Sequence, residues 1–180
     1  MNNIMKLFSI FVVFIQIQIA LSQPDQSPPI PNSDIGQLCR ANIYPSLCLS
    51  TLNLDPRSKT ATSVELSVIS VDATSKKVNE MLEYLKSVNN NTKNGEDSTR
   101  YSICSQAYTM AAKDFLPFAY SLLKDHSFVE ARSEMLKVVS ASDKCAAQFA
   151  GSSPLTQRIK VIHDTADMSA DIMRYFIANS

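Results

Sequence analysis

CSQAYTMAAKDFLPFAYSLLKDHSFVEARSEMLKVVSASDKC, residues 104–145, is the stretch on which the fold turns. It begins and ends on a cysteine, and Asp125 stands 21 residues from the first and 20 from the second. Apolar residues recur through it at three- and four-residue steps, the spacing that lines one face of an α-helix. Before the turn the stripe reads Tyr101, Cys104, Tyr108, Ala111, Phe115, Phe118 and Leu122. After it the stripe reads Phe128, Ala131, Met135, Val138, Ser142, Cys145 and Phe149, opened by the capping box Ser127-Phe128-Val129-Glu130. Two helices that fold back at Asp125-His126-Ser127 bring Cys104 and Cys145 face to face. Pro117 sits inside the first of them and predicts a kink near Ala112 to Lys113, because it removes a backbone hydrogen bond.

Working outward, the same periodicity appears twice more. Val64, Val68, Val71, Ser75, Val78, Leu82 and Leu85 form one stripe behind a second capping box, Thr62-Ser63-Val64-Glu65. Leu155, Ile159, Ile162, Ala166, Ser169, Met173 and Phe176 form the other, entered through Ser153-Pro154. Four stripes joined by short connections predict an all-α, up-down-up-down four-helix bundle over residues 62–178. Asn89 to Ser98 reads as a polar loop between the first two bundle helices, and Asn90-Asn91-Thr92 makes Asn90 a glycosylation candidate. Upstream, residues 33–52 read as a small αα-hairpin turning at Tyr44-Pro45, with Cys39 and Cys48 on its two arms. No alternating apolar strand appears.

The amino terminus reads as an address. Lys6, an apolar run from Leu7 to Ala20, and Ala20-Leu21-Ser22 fit a signal peptide over residues 1–22. The run falls short of the roughly 20 apolar residues a membrane span needs. Residues 23–32 hold four prolines and read as an extended leader, which leaves 33–180 as one compact domain. Export explains the four cysteines, which in an oxidising compartment read as two bridges. On loop entropy these are worth about 2.7 kcal/mol for the short loop and about 4 kcal/mol for the long one.

Composition excludes much. The formal net charge is +0 and the basic residues are scattered, so nothing points to nucleic acid or, after signal cleavage, to a membrane. Three glycines are too few for a phosphate-cradling loop. No metal-ligand spacing, cofactor motif or nucleophile elbow occurs. His126 and His163 read as surface histidines, and Asp164, Asp167 and Asp171 as a solvated acidic row on one helix. The chain reads as a non-enzyme, a stapled bundle that acts by presenting a surface.

Its residues resemble one family, the plant invertase and pectin methylesterase inhibitors. Cys39-Arg-Ala-Asn-Ile-Tyr-Pro45-Ser-Leu-Cys48 is similar to the family's amino-terminal hairpin, with Asn42 where threonine is commoner. Asp55-Pro56-Arg57-Ser58 resembles its hairpin-to-bundle junction. Cys104-x3-Tyr108 with Ala111 and Ala112, and Val139-Ser140-Ala141-Ser142 ending at Cys145, resemble its second and third bundle helices. The resemblance implies Cys39 with Cys48 and Cys104 with Cys145, in agreement with the register about each turn.

It also implies a secreted inhibitor, apoplastic or vacuolar, that forms a 1:1 complex with a plant acid invertase or a pectin methylesterase. Invertase inhibitors present the turn after the second bundle helix, which makes Asp125, His126, Ser127 and Phe128 the candidate target-binding residues. His126-Ser127 stands where the family's Pro-Lys is expected. Pro117 and the run from Val161 to Arg174 are similar to the invertase branch, so acid invertase is the expected target. Pectin methylesterase is the alternative, and a non-inhibitory helical ligand a third reading.

Overall fold

A computed structural model of the protein describes residues 32–91, 96–149 and 153–179. The signal segment, the leader up to residue 31, and Thr92 of the sequon lie outside the described residues. What is described is helical throughout: α1 (Asn32–Arg40), α2 (Pro45–Leu54), a 3₁₀ turn (Pro56–Thr60), α3 (Ser63–Asn91) and α4 (Glu96–Met110). A π-helical turn (Ala111–Phe115), α5 (Leu116–Lys124), α6 (Phe128–Ala146) and α7 (Thr156–Ala178) complete it. Of the expected loop at Asn89 to Ser98, the described residues are helical, since α3 runs through Asn91 and α4 begins at Glu96. Polarity signals contact with water, which a helix end supplies as readily as a loop.

The bundle closes as a ring. α3 packs against α4–α5 and against α7, and α6 packs against the same two neighbours. Between them lie Val71, Val78, Leu85, Tyr108, Leu123, Met135, Val138, Ile162 and Met173. Each fully buried aliphatic side chain of this kind contributes about 1.5–3 kcal/mol. α3 and α7 approach through small polar residues. Ser169 Oγ donates to Ser70 O at 2.9 Å and lies 3.1 Å from Thr74 Oγ1. Thr74 therefore takes the buried place expected of Ser75, which is half-buried.

Pro117 shapes the second bundle segment without breaking it. Its ring would clash with the carbonyl of Lys113, and it has no N–H to offer. The chain takes up one extra residue instead: Leu116 N–H bonds to Ala111 O, five residues back. One residue of a helix is about 100° of rotation, so the apolar stripe slips by one position. Leu116, Ala119 and Leu123 fill the core in place of the expected Phe115, Phe118 and Leu122. Phe118 is instead 54% exposed.

The two capping boxes fare differently. Thr62 N–H donates to Glu65 Oε2 at 2.7 Å and Glu65 N–H to Thr62 Oγ1 at 3.3 Å, the reciprocal pair that opens α3. Ser127 makes no such cap: its φ/ψ of −84° and 66° is set by the turn before it, and its hydroxyl turns back to Asp125 O.

α1 and α2 form a hairpin locked by Cys39–Cys48, with Cα atoms 5.4 Å apart. Ile35, Leu38 and Leu52 bury against Leu66 and Ile69 of α3 and Met168, Ile172 and Phe176 of α7. α7 thus carries two apolar faces, one for the bundle and one for the hairpin. The hairpin's turn is clasped by polar groups. Ile43 N–H donates to Asp171 Oδ2 at 3.0 Å, Asn42 Nδ2 to Met168 O at 3.1 Å, and Arg174 pairs with Asp171. Asp171 is buried rather than solvated, because its carboxylate receives the amide that the turn leaves unpaired. Asp171→Ala leaves Ile43 N–H without its acceptor and removes the ion pair with Arg174. It is expected to cost about 2–3 kcal/mol in denaturant unfolding and to speed proteolysis at residues 41–44.

Two phenols, Tyr108 fully buried and Tyr44 half-buried, add an alkaline limit. Burial pushes Tyr108, whose hydroxyl donates to Ser142 Oγ, up to about 12. Tyr44 rises to about 12 through burial and the nearby Asp164 and Asp167 carboxylates. A raised folded-state value contributes stability below the unfolded tyrosine value near about 10 and loses it as pH climbs from there. The melting temperature should fall as pH rises from about 10 toward about 12, and fall less in Tyr108→Phe.

Candidate target-binding surface

The turn between α5 and α6 is closed by backbone geometry. Ser127 N–H reaches Leu122 O at 2.9 Å and His126 N–H reaches Leu123 O at 3.1 Å, the paired bonds of a Schellman ending. That ending needs a left-handed residue after the cap, and His126 supplies it at φ 56°. Glycine is the usual occupant, because a side chain costs energy there. His126→Gly is expected to raise stability by about 1 kcal/mol, read as an increase in melting temperature. At the far end of the same helix pair, Cys104 and Cys145 are fully buried and bridged with Cα atoms 4.6 Å apart, holding α4 to α6.

Of the four candidate residues, Asp125 and His126 are exposed and Ser127 is half-buried. Phe128 points inward. Its ring sits 5.9 Å from that of Phe176 and packs against both the bundle core and the hairpin core. The turn itself therefore offers a carboxylate and an imidazole, and the exposed apolar side chain next to it is the small Val129. Asn90 lies in the last turn of α3, well along the sequence from this surface.

A second surface was not read from the sequence. The π-helical turn rotates Phe118 outward, to 54% exposure, on a surface shared with Met110 just before the turn, which is 49% exposed. Phe115 and Lys137 between them border a shallow apolar trough along the α4–α5/α6 seam, which continues to Ala107, Ser140 and Lys144. Lys137 lies 5.7 Å over the Phe115 ring and pairs at 2.6 Å with Glu134, a buried carboxylate. The result is an apolar strip edged by lysines. The only advance sign of it is Pro117, through its effect on helix phase.

His163 is half-buried and bridges α6 to α7, with Nε2 3.6 Å from Asp143 and Nδ1 3.2 Å from Asp164. Burial would raise the Asp164 carboxyl, but hydrogen bonds and charge from Lys160 and His163 outweigh it and hold the group below the usual carboxylate value. The two groups that flank the imidazole are both carboxylates. Among the described residues no group of three or more His, Cys, Asp or Glu is placed to hold a metal ion. No described helix is long and apolar enough to cross a membrane.

Fold and surface together define a helical, doubly disulfide-bonded protein that acts through contact. Comparison with known proteins gives the family. The family model described as plant invertase/pectin methylesterase inhibitor matches residues 33–180, so the chain belongs to that family. The family is one of inhibitors and not of catalysts. A pectinesterase inhibitor from Actinidia deliciosa is 29% identical over 116 residues, covering 60% of this chain. The chain spans 63% of that relative's length.

Two solved structures share the fold. A mutant form of a pectin methylesterase inhibitor from Arabidopsis superposes with a TM-score of 0.66 at 19% identity, over 78% of this chain and 95% of that one. A pectin methylesterase inhibitor from Arabidopsis thaliana gives 0.59 at 18% identity, over 81% and 97%.

Proposed function

We propose that this chain is a secreted inhibitor of a pectin methylesterase, bound to its target one to one in the apoplast. One observation supports this reading above the others: the apolar, lysine-edged strip at the π-helical turn, beside a turn whose Phe128 is committed to the core. A broad helical face suits an enzyme with an open polysaccharide cleft, which must be covered. A deep sucrose-sized pocket calls for a protruding plug, and Asp125-His126 is a poor one. The Actinidia relative, itself a pectinesterase inhibitor, favours the same target over the acid invertase expected from the sequence.

The test is a titration of the oxidised protein against a plant pectin methylesterase and a plant acid invertase at apoplastic pH. Stoichiometric loss of the esterase activity alone is the expected result. Loss of invertase activity alone overturns it. Loss of neither moves the chain to the role of a non-inhibitory ligand.

A further inference from the structure

A second groove runs between α3 and α4 and meets this strip only at Lys113, which lines both. Tyr101, Ser105 and Thr109 follow one another along its α4 wall at four-residue steps, with Lys113 at the end of the row. From Tyr101 to Lys113 the row is about 18 Å long at 1.5 Å per residue. The α3 wall contributes Glu83 and Lys86. The Tyr101 ring is held in place by the Phe149 ring at 5.8 Å.

The polar groups of this groove are unspent. Helical serines and threonines usually bond back to a carbonyl three or four residues earlier, and Ser67, Ser70, Thr74, Ser142 and Thr165 do so here. Ser105 and Thr109 do not, and among the described residues neither hydroxyl has a protein partner. Lys86, Lys113 and Glu83 are exposed and likewise form no ion pair among the described residues. Elsewhere on the bundle Lys77, Lys137 and Lys160 are paired with carboxylates.

We propose that this groove binds an oligosaccharide of uronic acids, independently of which enzyme the chain inhibits. A sugar ring presents one apolar face of C–H groups, which stacks on a fixed aromatic ring, and an edge of hydroxyls, which needs donors and acceptors in a row. Tyr101 supplies the first, and Ser105, Thr109 and Glu83 supply the second. Lys86 and Lys113, on opposite walls, select carboxylates over neutral or esterified sugars. Such a site tethers the inhibitor to anionic wall polysaccharide.

Isothermal titration of the intact oxidised protein with sodium oligogalacturonate tests it, with the fully methyl-esterified oligomer, a neutral cello-oligosaccharide and dextran sulfate as comparisons. Binding to oligogalacturonate and not to the esterified or neutral oligomer is expected. Lys86→Gln should weaken it about tenfold, the loss of one charged hydrogen bond, while inhibition of the target enzyme is unchanged. Thr109→Val, an exposed-side change that keeps the helix, should also weaken it. Lys59→Gln and Lys76→Gln, away from the groove, should not. No binding overturns the proposal, as does binding that dextran sulfate matches or that all four variants reduce alike, since both mean unspecific charge attraction.

Discussion

Replacing Cys104 and Cys145 together by alanine is expected to lower unfolding stability by about 4 kcal/mol, the loop entropy released over a separation of 41 residues. The corresponding fall in melting temperature is about 12 °C for a domain of this size. Both sulfurs are fully buried at the α4–α6 seam, beside Tyr108 and Ser142. Alanine leaves a small void there but no unpaired polar group, so loop entropy dominates the change. The bridge also holds the two helices that flank the exposed strip, and target affinity should fall with stability. Removing Cys39 and Cys48 is the smaller change, about 2.7 kcal/mol, and should loosen the hairpin while the bundle still melts as one unit. Denaturant titration decides: a cost below about 1 kcal/mol for the long loop would mean the unfolded chain is already constrained there.

Phe118→Glu is expected to weaken inhibition of pectin methylesterase by about thirtyfold, equivalent to about 2 kcal/mol at the centre of an interface. The ring is 54% exposed, so the free protein loses little by the change, and its circular dichroism and melting temperature should stay as they are. An effect on affinity without one on stability is what a contact residue produces. Asp125→Ala and His126→Ala provide the contrast. If the interhelical turn enters the target, these two carry the loss and Phe118→Glu is silent, and the proposed face is wrong.

The phase of the second bundle segment shows where reading a sequence succeeds and where it stops. Up to Ala111 the expected stripe is the buried one, with Cys104, Tyr108 and Ala111 facing in and Tyr101 half-buried at the edge. Beyond it every position is off by one, because Pro117 is accommodated by an added residue in the π-helical turn. A proline signals that the helix must yield, and the neighbours decide how. Here Leu116, Ala119 and Leu123 fit the core, and Phe118 is left outside as the centre of the candidate surface.

Phe128 and Asp171 teach the same lesson from opposite directions. Phe128 belongs by sequence to the candidate target-facing turn, and its half-buried ring packs on Phe176, since the hairpin brings a second apolar face to that end of α7. Asp171 was read as solvated and is buried under the hairpin turn, where it accepts Ile43 N–H. Each placement depends on a segment far away along the chain, 128 residues in the case of Asp171 and Ile43.

By itself the sequence determined the all-helical class, the stripes, the cap at Thr62-Glu65 and the family, because each depends on residues a few positions apart. Tertiary structure alone decided how Pro117 is absorbed, which aromatic faces water, which aspartate is buried, and which hydroxyls along α4 are left for a ligand. Those outcomes rest on how one helix meets another, and that is a property of the packed molecule.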